Sequence, residues 1–394
     1  MSTSRRVYMD HSAGKPVDPR VIEAMLPYMR SSYGNPSSLH EFGQEAKKAM
    51  EEARTTVAEL IGAERKESII FTSGATESNN MAIKGITERY KDRGNRIVTS
   101  SIEHMSVLNT VKFMSTKGFD TVFILVDNCG IVNIESLEKQ LTDKTILATI
   151  VYANGEIGTI QPIKEISKLV HDKNVFLHVD ATAACGQVPI NVKDENIDLL
   201  TISSNDIYGP KGMGALYVSD RVRLQPLIHG GGQERGLRSG TENVPGIVGF
   251  GKAAEIAKKE MQVESQRIVK LRDRFIEGLL KPIPYSFLNG HPTKRLPDNV
   301  SVRYSFIEGE SMLLGLGMAG VAASSGSACT AKTLEPSHVL LAIGLKHEEA
   351  HGSLMFTLGK QNTEEDADYV VSLMPGIVKR LRAISPLTPK ELNE

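Results

Sequence analysis

Seven short apolar runs between Ser68 and Val218, separated by amphipathic stretches, constrain the fold of this chain more than any other feature. They are Ser68-Ile-Ile-Phe-Thr72, Arg96-Ile-Val-Thr99, Thr121-Val-Phe-Ile-Leu125, Thr145-Ile-Leu-Ala-Thr-Ile-Val151, Val175-Phe-Leu-His-Val179, Asp198-Leu-Leu-Thr-Ile202 and Gly214-Ala-Leu-Tyr-Val218. Continuous apolar runs, unlike alternating ones, suit strands buried on both faces. Helical periodicity fills Ser38–Ile61, Glu77–Lys91 and Lys164–Asp172. Strands alternating with helices predict a mostly parallel sheet covered by helices, an α/β fold. From about residue 250 the texture changes. One long helix is predicted over Lys252–Leu280, and then a smaller α+β unit with Asn299-Val-Ser-Val-Arg303 as a strand. No internal repeat or low-complexity segment interrupts the pattern.

The 394 residues exceed one compact core and suit two domains. Forty-six basic against 47 acidic side chains give a net charge of -1, which excludes nucleic-acid or membrane-surface binding driven by bulk charge. No apolar run approaches the roughly 20 residues that span a bilayer. Met1-Ser-Thr-Ser-Arg-Arg6 leads into Val7-Tyr8-Met9-Asp10 without the apolar core of a signal peptide, so a cytoplasmic protein is expected. Three widely spaced cysteines, Cys129, Cys185 and Cys329, indicate neither a disulfide framework nor a zinc knuckle. Cys129 and Cys185 read as inert core residues.

Chemistry concentrates where strands end. Phe71-Thr-Ser-Gly-Ala-Thr-Glu77 joins a strand to a helix through small residues. The helix N-terminus and the Thr76 hydroxyl suit a phosphate, although ordinary strand–helix turns use the same residues. Asp180 closes the strand of His178-Val-Asp-Ala-Thr182, at the end of an open sheet where ligands bind. It either keeps a pyridine nitrogen protonated or caps the next helix. His104, in Ser101-Ile-Glu-His-Met105, either stacks on a flat ring or is structural. Ser203-Ser-Asn-Asp-Ile-Tyr-Gly-Pro-Lys-Gly212 follows another strand end with a tight turn. Gly230-Gly-Gly-Gln-Glu-Arg-Gly-Leu-Arg-Ser-Gly-Thr241 reads as a mobile basic loop that completes an anion site. Ser324-Ser-Gly-Ser-Ala-Cys-Thr330 sets Cys329 among small residues, where a thiol is exposed and reactive rather than core.

In this order the pieces resemble the group I (IscS/NifS-type) cysteine desulfurases over essentially the whole chain. The resemblance runs from Asp10 and Gly34-Asn-Pro-Ser37 through Gly74-Ala-Thr-Glu77, Glu103-His104 and Gly155-Glu-Ile-Gly158. It continues through His178-Val-Asp180, Tyr208-Gly-Pro-Lys-Gly212, Arg238-Ser-Gly-Thr241 and Ser325-Gly-Ser-Ala-Cys329 to Leu334-Glu-Pro-Ser337. It implies a fold-type I homodimer dependent on pyridoxal phosphate (PLP), which takes sulfur from cysteine and passes it as a persulfide to an acceptor. Residues 16–250 would form a large PLP-binding domain with a mostly parallel sheet. Residues 1–15 and 251–394 would form a small domain carrying the Cys329 loop. By position, the phosphate cradle maps onto Gly74, Ala75, Thr76, Ser203 and Thr241 of the partner subunit. The stacking histidine maps onto His104, the pyridinium partner onto Asp180 and the persulfide cysteine onto Cys329.

The departures fall in one place. The family's His-Lys pair is here Asn205-Asp206, so a carboxylate stands where the Schiff-base lysine belongs. The asparagine and glutamine that contact the cofactor's phenolic oxygen are Gly155 and Ala183, the substrate-clamping arginine is Met355, and an Ala-Thr-Thr is Ala13-Gly-Lys15. Lys211 is no substitute, because the family has it beside the missing lysine. A carboxylate cannot condense with the cofactor's aldehyde or act as the amine base, and general-base catalysis is worth on the order of 10² to 10⁴ in rate. Asp206 repels a substrate carboxylate, and Met355 cannot bind one. The sequence therefore points to an iron–sulfur assembly protein with impaired desulfuration and PLP bound non-covalently. Cys329 would carry persulfide sulfur or ligate a nascent 2Fe–2S cluster shared with an IscU-like scaffold. The rival readings are an active desulfurase using non-covalent PLP and a non-catalytic interaction subunit.

Overall fold

A computed structural model describes residues 5–325 and 336–392. The first half of the chain forms β1 (Val7–Tyr8), α1 (Pro19–Arg30), α2 (Glu41–Leu60), β2 (Ile69–Thr72), α3 (Ala75–Tyr90), β3 (Arg96–Ser100), α4 (Met105–Ser115), β4 (Asp120–Ile124), α5 (Ile134–Gln140), β5 (Thr145–Val151), α6 (Ile163–Asp172), β6 (Phe176–Asp180) and β7 (Leu199–Ser203). The second half adds β8 (Gly214–Val218), α7 (Val244–Leu280), β9 (Ser286–Leu288), β10 (Asn299–Tyr304), α8 (Gly309–Met318), β11 (Val321–Ala322), α9 (His338–Ala342), α10 (His347–His351), β12 (Ser353–Thr357) and α11 (Glu364–Ile384).

All seven apolar runs are strands of one sheet, ordered β2-β8-β7-β6-β5-β3-β4. Only β8 runs against the others, between β2 and β7. β2, β5, β6 and β7 are buried along their whole lengths, as strands covered by helices on both faces require. The parallel strands bring the C-terminal ends of β2, β6 and β7 to one edge, where Gly74, Asp180 and Ser203 stand. This is the fold-type I architecture expected from the sequence.

Helix α7 starts eight residues before the predicted Lys252. Gly246, Gly249 and Gly251 hide the helical pattern, because glycine is a poor helix former. Their use is in packing: an added Cβ would sit 2.7 Å from Met25 at Gly249 and 2.6 Å from Ala53 at Gly251. They let α7 lie against α1 and α2, and Asn243 caps the start by accepting the Gly246 amide at 3.1 Å. Ile247, Phe250 and Ala254 of α7 join the core under the sheet. Ile268, Leu271, Phe275 and Leu279 join a second core with Val300, Phe356 and Val370, which also takes in Val7 and Met9. β1 enters that second unit by pairing in parallel with β11.

Two other expectations are corrected. The glycine-rich loop over 230–241 is pinned, because Glu234 takes a bidentate grip from buried Arg54 (2.7 Å to each oxygen) and accepts the Phe71 amide at 2.9 Å. Glu234 is itself buried, with φ at +46°, so the carboxylate fixes a backbone that a non-glycine residue rarely adopts. Cys185 is core, but Cys129 lies half-buried in a turn, its amide donating to Asp127 at 2.9 Å. Among the described residues no helix is long and apolar enough to cross a membrane.

Candidate functional site

The first part of the site is a cradle at the start of α3. β2 ends at Thr72, and Gly74 takes φ +148° with open space where a Cβ would point. No side chain caps α3, so the amides of its first turn, Ala75 and Thr76, have no partner within the helix. Glu77 steadies the turn by accepting the Ser73 amide at 2.9 Å, and Arg238 grips Glu77 at 2.8 Å. Ser203 comes to the same place, since Gly214 at the start of β8 pairs with Thr72 on one side and Ser203 on the other. A side chain at 214 is barred, because its Cβ would lie 2.6 Å from the Gly74 backbone. Gly74, Ala75, Thr76 and Ser203 thus form one anion-ready cradle. Thr241 stands apart, exposed in the segment leading into α7.

The second part joins His104 to Asp180. Asp180 is buried at the end of β6, where one oxygen accepts the Thr182 amide and hydroxyl at 3.0 and 2.5 Å. The other oxygen accepts Asn79 Nδ2 at 2.7 Å. The same Asn79 nitrogen donates to Ser106 Oγ at 2.8 Å, and Ser106 Oγ lies 2.8 Å from His104 Nδ1. His104 also caps α4 by accepting the Ser106 amide at 3.1 Å, which fixes its ring while leaving it exposed. The structural reading of His104 as a local cap therefore holds, whereas no helix follows Asp180 for it to cap, and the two side chains share one network. Asn79 was missed. Its signal was the polar run Ser78-Asn79-Asn80 inside a helix whose neighbours Met81, Ala82 and Ile83 are buried. Its Oδ1 is buried with no partner among the described residues, so the network keeps one acceptor for a ligand or water. Beneath it, burial pushes the Glu103 carboxyl up to about 8, despite bonds from Ser100 and the Val151 amide. Buried His178, between Thr149 and Thr201, is pushed down to about 4 and is neutral.

The third part is the turn after β7, where Asn205–Ile207 make a short 3-10 turn ended by Tyr208 at φ +64°. Burial raises the Asp206 carboxyl to about 6, while Lys15 and a hydrogen bond with Ser203 pull it down. Neither nearby lysine points a free amine at the cradle: Lys15 Nζ donates to the Asp206 main-chain oxygen at 3.0 Å, and Lys211 Nζ to the Lys15 oxygen at 3.3 Å. Asn205 Oδ1 is buried without a partner among the described residues. Gly155 and Ala183 are neighbours, since a Cβ on Gly155 would lie 3.5 Å from that of Ala183 and near nothing else. Met355 is buried in β12 and exchanges both main-chain hydrogen bonds with Ser324, at 3.0 and 2.7 Å. It thus clasps the start of the segment bearing Cys329, which lies outside the described residues, as do its expected persulfide and metal-ligand roles.

The arrangement offers a helix N-terminus to a phosphate, a buried carboxylate to a ring nitrogen and an exposed imidazole to a ring face. A PLP-shaped ligand fits these groups. Among the described residues no group of three or more His, Cys, Asp or Glu side chains could hold a metal ion.

Comparison with known proteins agrees with the fold. The aminotransferase class-V family matches residues 7–370. The chain is 57% identical to the cysteine desulfurase IscS 1 of Archaeoglobus fulgidus over 380 residues, covering 96% of this chain and 99% of that protein. It is 53% identical to the cysteine desulfurase IscS of Methanosarcina thermophila, covering 98% and 96%. Among solved structures, a NifS-like protein superposes with a TM-score of 0.90 at 39% identity, covering 96% of this chain and all of the other.

Proposed function

We propose, for a chain that belongs to the class-V aminotransferase family and within it to the IscS/NifS-type cysteine desulfurases, that it serves iron–sulfur cluster assembly. Cys329 is its working group, carrying persulfide sulfur or ligating a nascent 2Fe–2S cluster docked with an IscU-like scaffold. PLP, the cofactor expected of the family, binds non-covalently. When bound it supplies an electron-accepting ring. Gly74, Ala75, Thr76, Ser203 and Thr241 of the partner subunit bind its phosphate, His104 orients its face and Asp180 holds the proton on its ring nitrogen. The protein acts as a cytoplasmic homodimer, with residues 16–250 as the large domain and residues 1–15 and 251–394 as the small one. The core joining Val7 and Met9 to residues 268–279, β10, β12 and α11 supports a small unit, although a further cluster joins Ile102, Val151 and Ile157 to Val339 and Leu340 across the division.

The observation that carries this reading is Asp206 at the site, with Lys15 and Lys211 both turned onto main-chain oxygens. Gly155, Ala183 and Met355 add the loss of polar contacts for the ring and the substrate. The Asn79–Asp180–Ser106–His104 network favours a second reading, an active desulfurase working with non-covalent PLP. Borohydride reduction of the PLP-saturated protein, followed by mass spectrometry, is expected to find no adduct on any lysine. A stoichiometric adduct on Lys15 or Lys211 would overturn non-covalent binding, and turnover of cysteine to alanine would establish the second reading. For Cys329, anaerobic reconstitution with iron, sulfide and a three-cysteine scaffold is expected to hold a cluster in the parent and lose it in Cys329→Ser. Equal retention in both rules out the ligand role.

A further inference from the structure

One buried charge near the site has no part in the function just proposed. Lys15 is 5% exposed, and its ammonium lies 3.0 Å from the Asp206 main-chain oxygen, 3.7 Å from Asp298 Oδ2 and 5.2 Å from the centre of the Tyr208 ring. An ammonium so buried is costly unless carboxylates face it. Asp206 and Tyr208 face it from the turn after β7, and Asp298 from the approach to β10, itself held by Gln187 at 2.8 Å. Lys360 lies 5.1 Å from the same Tyr208 ring. His11, on the same segment as Lys15, has its pKa lowered to about 4 and adds no charge. The buried Cys185 thiol, pushed up to about 12, adds none either. Burial lowers the Lys15 pKa, but Asp298, Tyr208 and Asp206 together outweigh burial and raise it, so the side chain stays an ammonium. The adjoining cavity, bounded by Lys15, Asp206, Tyr208, Asp298 and Glu264, measures about 50 Å³, room for water and not for a substrate. The cation therefore serves the protein's own carboxylates.

We propose that Lys15 is a positioning residue, a buried cation from the N-terminal segment that pins the main chain at Asp206 and balances the carboxylates of Asp206 and Asp298, allowing an acid to stand at position 206. Ala13-Gly-Lys15 and Asn205-Asp206 then form one exchange of charge between two segments 191 residues apart in sequence. Restoring a lysine at 206 alone would set two buried ammoniums against each other. The inference goes beyond the proposed function, because its first test needs no cofactor.

That test is a double-mutant cycle in urea with the parent, Lys15→Met, Asp206→Lys and the double variant. Methionine keeps the length of the side chain and removes its charge. Lys15→Met is expected to lower the unfolding midpoint of the parent, and to raise it or leave it unchanged in the Asp206→Lys background. An equal loss in both backgrounds would overturn the proposal, since Lys15 would then serve Asp298 alone. If Lys15→Met does not fold, the double variant decides: cooperative unfolding supports the exchange, and failure to fold refutes it. The second test reads the pH dependence of PLP affinity by absorbance titration. Removing a cation beside a carboxylate raises that carboxylate's pKa by about one unit or more. The pH midpoint of PLP affinity is therefore expected to rise by about one unit in Lys15→Met, and an unchanged midpoint counts against any action through Asp206. Absence of PLP binding in every variant would sink the proposed function and leave the urea cycle to decide this one.

Discussion

The two sides of the site are built differently. On the side of α3 and α4, hydrogen bonds run from Arg238 through Glu77 to the cradle and from His104 through Ser106 and Asn79 to Asp180, with Asn79 Oδ1 left without a partner among the described residues. On the side of the turn after β7, an acid stands at 206, Lys15 from the N-terminal segment donates to its main-chain oxygen, and the side-chain oxygen of Asn205 has no partner among the described residues. The first side is the one proposed to hold the cofactor's phosphate and ring. The second presents a carboxylate and a lysine that donates to the main chain beside it. The contrast teaches that binding and reaction are separable parts of such a site. Hydrogen-bond geometry sustains binding, whereas reaction needs one particular functional group.

Four substitutions, in three comparisons, test how far the contrast holds. The largest effect is expected from Glu234→Ala, which leaves the Arg54 guanidinium buried without its bidentate partner. Breaking a buried pair by removing one member costs about 3–5 kcal/mol. The urea midpoint should fall accordingly, and PLP affinity with it, because the loop carrying Arg238 and Thr241 loses its anchor. A loss of stability with unchanged PLP affinity would detach that loop from the binding side.

A smaller effect separates the two sides directly. Asn79→Ala removes a donor from buried Asp180 and from Ser106, and a buried group left unsatisfied costs about 1–3 kcal/mol. Asn205→Ala removes an amide whose oxygen has no partner among the described residues, so its cost should stay within about 0.5 kcal/mol. Equal losses in the two variants, measured by chemical unfolding, would erase the distinction drawn here.

The smallest effect concerns Glu103, buried beneath the binding side with its carboxyl raised to about 8. The folded protein holds this proton more tightly than the unfolded chain, so the stabilisation is present at low pH. It is lost as pH rises between the unfolded value near 4.5 and the folded value near 8. Glu103→Gln removes this dependence. Relative to the variant, the parent should lose on the order of 1 kcal/mol between pH 7 and pH 8. Parallel stability curves for the two proteins would show that Glu103 is already ionised in the fold.

Much of this was legible in the sequence, because strand identity is a local property. Each of the seven apolar runs became a strand with bounds shifted by no more than one residue, since continuous burial leaves its mark in the run itself. Asp180 and Ser203 could be placed at strand ends for the same reason, and resemblance supplied the roles proposed for them. Helix α7 was cut short because its glycines carry a packing function that appears only when α1 and α2 lie against it. The loop over 230–241 read as loose because its anchor, Arg54, lies 180 residues away from Glu234. Asn79 went unnoticed because an amide inside a helix has no meaning until the partners at Ser106 and Asp180 are brought to it. The sequence by itself determined which elements form and that position 206 is an acid. Only the tertiary structure decided which distant side chain reaches that position, because a buried charge takes its partners from whatever the fold packs against it: Lys15 donates to the Asp206 main-chain oxygen and faces Asp298.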